Sequence, residues 1–166
     1  MQERGPVPPV NDASRDRRHL PTVLGIAALV VVADQLTKTW AIDHVSDRAI
    51  HVFWTLRLAV TYNPGAAFSI GQGITPFFVA VAVVMVVVLV LVARRDETVG
   101  ARLALGLVLG GALGNLTDRL VRHHHGAVID FIDFRWWPVF NVADACVVVG
   151  AILLAVSATT RRPVLS

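Results

Sequence analysis

The stretch LALGLVLGGALGNLTDRLV, residues 103–121, is apolar for long enough to cross a lipid bilayer, yet its second half carries Asn115, Asp118 and Arg119. A membrane-spanning helix needs about 20 predominantly apolar residues, and an ionisable side chain inside it is costly unless it has a partner. Such side chains therefore need a structural or functional reason. The stretch predicts a transmembrane helix with a polar site near one end.

The composition of the whole chain is typical of a membrane protein. Its 166 residues are 55% hydrophobic and 16% charged, with a mean hydropathy of +0.63, which is too apolar for an ordinary soluble domain. The net charge of +3 comes with arginines dispersed at the ends of apolar runs, so it does not predict a nucleic-acid-binding patch. The lone Cys146 excludes an intramolecular disulfide and a metal site built from thiolates.

Four apolar stretches approach the length of a membrane span, at residues 20–40, 74–93, 103–121 and 140–160. The first is longer than the apolar core of a signal peptide and has no convincing cleavage site, so we expect it to remain as a helix. Arginines before the first span, between the second and third, and after the fourth predict that both termini are cytoplasmic. We expect residues 1–19, rich in proline and charge, to form a disordered cytoplasmic tail, and residues 161–166 a short one.

This topology gathers the polar residues of the spans into one layer near the outer surface. At a rise of about 1.5 Å per residue they all fall within a few turns of the outer helix ends. Asp34 and Lys38 are four residues apart and can pair on one helix face, either as a packing ion pair or as part of the chemistry. Asn115 and Arg119 have the same spacing, and a guanidinium there suits the binding of a carbonyl or carboxylate, whereas Asp118 is interpreted as structural.

Asp130 and Asp144 are candidates for a pair of carboxylates. Asn141 followed three residues later by an acid is also a common helix start, so Asp144 alone predicts only a cap. Asp130, however, lies in a segment that can fold back over that helix start. Two carboxylates that share one proton can activate water, one as the base while its protonated partner donates to a carbonyl oxygen. Because a helix N-terminus favours the anionic form of Asp144, we expect Asp130 to carry the proton.

Five short blocks then carry a resemblance to a known family: DQLTK from Asp34, TYNPGAAFS from Thr61, GNLTDR from Gly114, VIDF from Val128 and FNVADA from Phe140. In this order they resemble lipoprotein signal peptidase, or signal peptidase II, the membrane aspartic peptidase family of bacteria. The resemblance covers about residues 20–160. Each block alone is weak, but five in order are very specific.

The resemblance implies roles for the polar residues. Asp130 and Asp144 match the catalytic pair of the family, Asp34 and Lys38 match a supporting pair, and the polar residues around the catalytic pair are matched by Asn63, Asn115, Arg119 and Asn141. It implies a hydrolase of the bacterial cytoplasmic (inner) membrane whose active site lies near the outer leaflet. This aspartic endopeptidase would remove the signal peptide of a prolipoprotein just before a diacylglyceryl-modified cysteine. We expect no metal or cofactor, lipidated prolipoproteins and membrane lipids as partners, no nucleic acid, and a monomer.

The expected fold is an all-α membrane protein of four transmembrane helices with a small extracytoplasmic β-structured cradle at about residues 42–70. The family implies the cradle, and the loose alternation in AIHVFWTLRLAVTYN, residues 49–63, is compatible with short strands. A sharp turn at NPGAAF can bring Asn63 near the site. We expect the segment between the third and fourth helices to lie along the membrane surface.

Two other functions use intramembrane charges. A proton-coupled transporter or small channel would place polar residues near the midplane and toward both sides, whereas the segments 79–92 and 147–155 contain no ionisable side chain. A non-catalytic module that binds lipidated signal peptides differs only in whether the two acids are needed for turnover. The run His123, His124 and His125 is interpreted as a solvated interface cluster, because adjacent helical residues point about 100° apart.

Overall fold

The computed structural model describes residues 20–65, 75–93, 98–122 and 124–160. The predicted tails, the AAFS end of the TYNPGAAFS block and His123 lie outside these described residues. The described elements, in chain order, are α1 (Leu20–Val45), β1 (Ile50–Phe53), β2 (Leu56–Asn63), α2 (Thr75–Ala93), α3 (Val99–Val121), β3 (Val128–Asp133) and α4 (Val142–Thr160). The architecture is mostly helical with one small antiparallel sheet in the order β1-β2-β3.

The helices have the apolar surfaces that a bilayer requires. By length and composition α1 and α3 could each cross a membrane, and the apolar segments Val79–Val92 and Val142–Ser157 of the other two helices are shorter. Large apolar side chains such as Leu29 and Val84 are 72% and 62% exposed, so water would contact them unless lipid covers them. These features support membrane insertion, and the arrangement of four spans stays a prediction.

The central helix of the bundle is α3, which packs against α1, α2 and α4. Glycines allow its neighbours to approach closely. A Cβ atom at Gly110 would lie 2.8 Å from the carbonyl oxygen of Ala27 in α1, and one at Gly111 would overlap the carbonyl oxygen of Ala143 in α4. Small residues at such contacts are the usual means by which helices associate tightly in membranes. The glycine-rich middle of the third predicted span is therefore a packing surface.

The sheet covers the end of α1 that lies beyond the predicted end of the first span at residue 40. Ala41 and Val45 are fully buried there and pack against Phe131 of β3. Because these last helical residues have an apolar partner, α1 continues to Val45 and the strands begin only at Ile50. Strands β1 and β2 thus lie within the predicted region of about residues 42–70, but they start later.

The segment between α3 and α4 contributes a third strand that the sequence did not predict. In β3, Asp130 lies opposite Thr61 of β2, and Asp133 lies opposite Arg57. The first four residues of β3 are all buried, so the strand lacks the alternation of polar and apolar residues that marks a half-exposed strand. This pairing places Asp130 on the sheet rather than on a surface loop.

We predict that Gly111→Ala destabilises the bundle whereas Gly25→Ala does not. A methyl group at position 111 would overlap backbone of α4, which cannot move aside as a side-chain end can, while a Cβ at Gly25 meets nothing within 4 Å. Overpacking of this kind costs about 1–3 kcal/mol, and alanine at an open helical position is favoured over glycine by up to about 1 kcal/mol. Thermal unfolding in detergent micelles measures both variants. Equal unfolding midpoints would contradict the close packing of α3 against α4.

Candidate active site

The structure brings Asp130 of β3 and Asp144 of α4 together on either side of Asn141. The Asn141 Nδ2 donates to Asp130 Oδ1 at 2.7 Å, and the Asn141 Oδ1 accepts from the backbone N–H of Asp144 at 2.8 Å. In return, Asp144 Oδ2 accepts from the backbone N–H of Asn141 at 3.3 Å. This reciprocal arrangement is a capping box at the start of α4. The two interpretations of Asp144, as a cap and as one of a carboxylate pair, are therefore compatible.

Asn63, at the end of β2, is the second amide that binds Asp130. Its Oδ1 accepts from the backbone N–H of Gly65 at 2.9 Å, which leaves its Nδ2 to donate to Asp130 Oδ2 at 3.0 Å. Gly65 has a φ of 89°, a conformation that glycine adopts without strain. The turn that follows β2 thus orients the Asn63 amide toward the carboxylate.

Asn115 of α3 is the amide that binds Asp144. Its Oδ1 accepts from Lys38 Nζ at 3.2 Å and from Asn141 Nδ2 at 3.1 Å. Because the carbonyl end is occupied by donors, the Nδ2 end faces Asp144 and donates to its Oδ1 at 2.7 Å. Each carboxylate of the pair is thus bound by amide donors whose orientation is set by their other hydrogen bonds.

Arg119 carries a buried donor close to the same site. Its Nη1 donates to the carbonyl oxygen of Asn115 at 3.3 Å, but its Nε is buried without a hydrogen-bond partner in the described part of the chain. The guanidinium lies in the electrostatic field of Asp144, Asp118 and Asp130. Leaving a buried donor unpaired costs about 1–3 kcal/mol, so this group is available to a ligand that brings an acceptor.

Behind the pair lies a fully buried cluster of charges. Lys38 Nζ is 2.8 Å from Asp34 Oδ2, as the spacing of these residues predicts, and 2.7 Å from Asp118 Oδ2. All three side chains are fully buried. Together with its hydrogen bond to Asn115, the ammonium has an acceptor for each of its three protons, as a buried lysine requires.

Two members of this cluster were missed in the sequence. Gln35 Nε2 donates to Asp118 Oδ1 at 2.9 Å, and Gln35 Oε1 accepts from Arg122 Nε at 3.0 Å. Arg122 also lies 3.5 Å from Asp118. The available signals were weak: Arg122 follows Asp118 by four residues, and Gln35 is the second residue of the DQLTK block.

The two acids of β3 have opposite electrostatic environments. Burial raises the pKa of Asp130 from the usual 3.8 to about 6, the neighbouring charge of Asp144 adds to this, and the hydrogen bonds from Asn63 and Asn141 oppose it. For Asp133, burial also acts to raise the pKa, but the hydrogen bond from Arg57 and that from the Arg135 backbone hold it below its usual range. Asp133 forms its ion pair with Arg57 and takes no part in the carboxylate pair.

The described residues contain no cluster of three or more histidine, cysteine, aspartate or glutamate side chains that could hold a metal ion. Within the histidine run, His124 instead packs against the ring of Tyr62 in β2, with ring centroids 4.6 Å apart. This contact joins the turn after α3 to the strand that carries Asn63.

Comparisons with known proteins identify the relatives of the chain. The family model described as signal peptidase (SPase) II matches residues 26–160. The lipoprotein signal peptidase of Rhodococcus jostii is 44% identical over 136 residues, which cover 79% of this chain and 69% of that protein. The lipoprotein signal peptidase of Mycobacterium leprae is 42% identical over 161 residues, covering 90% of this chain and 78% of that protein.

The fold is also similar to that of a solved protein. A structure described as a bacterial membrane enzyme, obtained by the in meso method at 1.9 Å resolution, superposes with a TM-score of 0.75 at 30% sequence identity. The match covers 86% of this chain and 95% of that one. A second structure with the same description, at 2.3 Å resolution, gives a TM-score of 0.74 at 30% identity.

We predict that Asn63→Ala raises the pKa of Asp130 above its value of about 6. The variant loses an amide that donates to the carboxylate, so the ionised form becomes less favourable and the pKa rises. Titration of the carboxyl ¹³C chemical shifts of labelled aspartates in micelles measures this. Asp133 is the internal control and keeps its midpoint, because its partners Arg57 and Arg135 are unchanged. An Asp130 midpoint that stays constant or falls would show that Asn63 is not its donor.

Proposed function

The chain belongs to the signal peptidase II family and has the function of that family, and we propose that it acts as an aspartic endopeptidase whose catalytic pair is Asp130 and Asp144. The observation that carries the proposal is the convergence of two carboxylates on Asn141, one with its pKa raised to about 6 and the other at a helix N-terminus. Two acids in environments that differ in this way are suited to opposite roles in proton transfer.

In the proposed reaction, ionised Asp144 takes a proton from a water molecule while the water oxygen forms a bond to the scissile carbonyl carbon. Protonated Asp130 donates its proton to the carbonyl oxygen, which gives a neutral diol intermediate. Asp144 then gives its proton to the leaving amide nitrogen as the C–N bond breaks, and Asp130 recovers a proton from a diol hydroxyl group. The pair ends in its starting state, with one water consumed.

This assignment of roles is supported by the elements that carry the two acids. Asp144 lies in the first turn of α4, where the helix dipole and the backbone N–H of Asn141 stabilise its anion. Asp130 lies on a buried strand, where desolvation favours its neutral form.

We propose that Arg119 binds the substrate backbone beside the pair. Its unpaired Nε is a buried donor, and a peptide carbonyl oxygen is the acceptor that a bound substrate would bring. Asn115 and Asn141, by contrast, are already occupied by the two aspartates and by each other. Their proposed role is to hold the pair.

The substrates implied by the family are prolipoproteins. We propose that cleavage occurs just before the lipidated cysteine, in a site near the outer leaflet with both termini in the cytoplasm. The exposed indoles of Trp54 (81%), Trp136 (66%) and Trp137 (59%) lie on the loops at the sheet end of the bundle, and tryptophan favours the boundary between lipid and water. A bond next to a membrane-anchored cysteine would lie at that same depth.

We predict that Asp130→Asn and Asp144→Asn each reduce the cleavage of a diacylglyceryl-modified prolipoprotein by at least about 1,000-fold, because each removes a proton-transfer group. The matched control is Asp133→Asn, on the same strand as Asp130 but paired with Arg57, and it retains wild-type turnover. The measurement is the rate of cleavage by purified protein with circular dichroism as the check on folding. The precursor without the lipid is the substrate control and stays uncut.

The alternatives predict other results. If the wild-type protein binds the lipidated precursor without cutting it, the chain is a binding module. If both asparagine variants retain full turnover, the aspartic mechanism is wrong.

We predict that kcat/KM falls as the pH rises through about 6, because Asp130 then loses the proton that the mechanism requires. The midpoint moves to higher pH in Asn63→Ala, in the same direction as the pKa of Asp130. Initial rates with the lipidated precursor at concentrations well below KM, measured across about two pH units on each side of the midpoint, give the profile. A value of kcat/KM that rises through this range would show that Asp130 works in its ionised form.

A further inference from the structure

The buried ion cluster has no role in the proton transfers proposed above. Lys38 bridges Asp34 and Asp118, and all three side chains have no exposed surface. Burying three charged groups is unfavourable unless their mutual geometry is maintained, and apolar residues could fill the same volume at less cost. The other hydrogen bonds of the two carboxylates suggest a function for these buried charges.

Each carboxylate of the cluster also binds a peptide N–H next to a member of the catalytic pair. Asp34 Oδ1 accepts from the backbone N–H of Ala143 at 2.9 Å, and Ala143 directly precedes Asp144. Asp118 Oδ2 accepts from the backbone N–H of Ile129 at 3.1 Å, and Ile129 directly precedes Asp130. One ammonium thus holds two carboxylates, and each carboxylate holds the backbone beside one catalytic aspartate.

We propose that Asp34, Lys38 and Asp118 are positioning residues that form a buried tether and fix the separation of Asp130 and Asp144. The proposal rests on the proposed function, since it assumes that these two acids must meet. Backbone hydrogen bonds between Ile132 and Phe140 already join the end of β3 to the start of α4, although the loop between them is exposed at Arg135, Trp136 and Trp137. The tether adds a second connection between the two elements, through the side chains of α1 and α3.

The side chain of Gln35 forms a second link between the two carboxylates of the tether. Its Nε2 lies 3.2 Å from Asp34 Oδ2 and 2.9 Å from Asp118 Oδ1, so it spans the same two carboxylates as the ammonium does. Arg122, close to Asp118, brings the cluster to two acids and two bases. Removing Lys38 alone therefore weakens the tether without separating the acids completely, and leaves the cluster with one excess negative charge.

The first test is Lys38→Met, a side chain of similar length that has no charge. We expect kcat to fall by about 10- to 100-fold, the loss that small displacements of catalytic groups produce, while KM stays within about threefold of wild type. The matched control is Asp133→Asn, which removes an ion pair from the other end of β3 and leaves kcat unchanged. A wild-type kcat in folded Lys38→Met would overturn the proposal.

The second test separates positioning from charge balance. The double variant Lys38→Met/Asp118→Asn retains Asp34 and Arg122, so its cluster is again neutral, and it retains an amide oxygen at position 118 to accept from Ile129. We expect its thermal stability to recover relative to Lys38→Met while kcat stays low, because the link between the two acceptors is still absent. Recovery of kcat together with stability would show a purely structural cluster and overturn the proposal.

Asp130→Asn and Asp144→Asn are assayed beside these variants to separate the two levels of inference. If they lose cleavage and Lys38→Met does not, the tether is wrong and the catalytic pair stands. If they keep cleavage, the proposed catalytic pair itself is wrong. Loss of cleavage in the aspartate variants, with a lowered kcat and a nearly constant KM in both lysine variants, supports both.

Discussion

A lysine ammonium buried among apolar helices must be surrounded by acceptors, and Lys38 meets that requirement with side chains from two helices, Asp34 on its own helix and Asn115 and Asp118 on α3. Apolar packing alone specifies the relative position of two membrane helices weakly, because a leucine finds similar surroundings one turn further along. A displaced charge would instead lose its partners in a medium that cannot replace them. The ion cluster therefore fixes the register of α1 and α3. The positions of β3 and α4, which bind to these helices, depend on that register.

The close packing of the helices and the placement of the buried Asp34 carboxylate both depend on Gly114. A Cβ atom at Gly114 would lie 2.7 Å from Asp34 Oδ2 and 3.3 Å from the Ala143 side chain, at the point where α1, α3 and α4 meet. The missing side chain leaves the space in which Asp34 reaches past α3 to the first turn of α4. The same missing side chain thus lets the helices approach closely and lets the buried Asp34 carboxylate reach a hydrogen-bond donor. This explains why the polar cluster directly follows the glycine-rich part of α3.

Local patterns in the sequence were sufficient to predict the apolar helices, the pairing of Asp34 with Lys38, and the convergence of Asp130 and Asp144. They were insufficient for β3, because its buried residues show no alternation and its partner strand is more than sixty residues earlier in the chain. The bonds of Gln35 and Arg122 were missed for the same reason, since they join residues 83 to 87 positions apart. The amide orientations of the asparagines depend on several such contacts at once, and no single spacing in the sequence encodes them.

The small sheet places two identical side chains, Asp130 and Asp144, in different electrostatic environments. An acid placed in the first turn of a helix is stabilised as an anion by the unpaired N–H groups there, so two acids on two such turns would both favour ionisation. A strand has no comparable dipole. By carrying Asp130 on β3, the chain places one acid where burial dominates and its pKa rises, beside another at the start of α4. The neighbouring strand β2 then supplies Asn63, whose hydrogen bond opposes that rise, so the two strands together both raise the pKa of Asp130 and limit the increase.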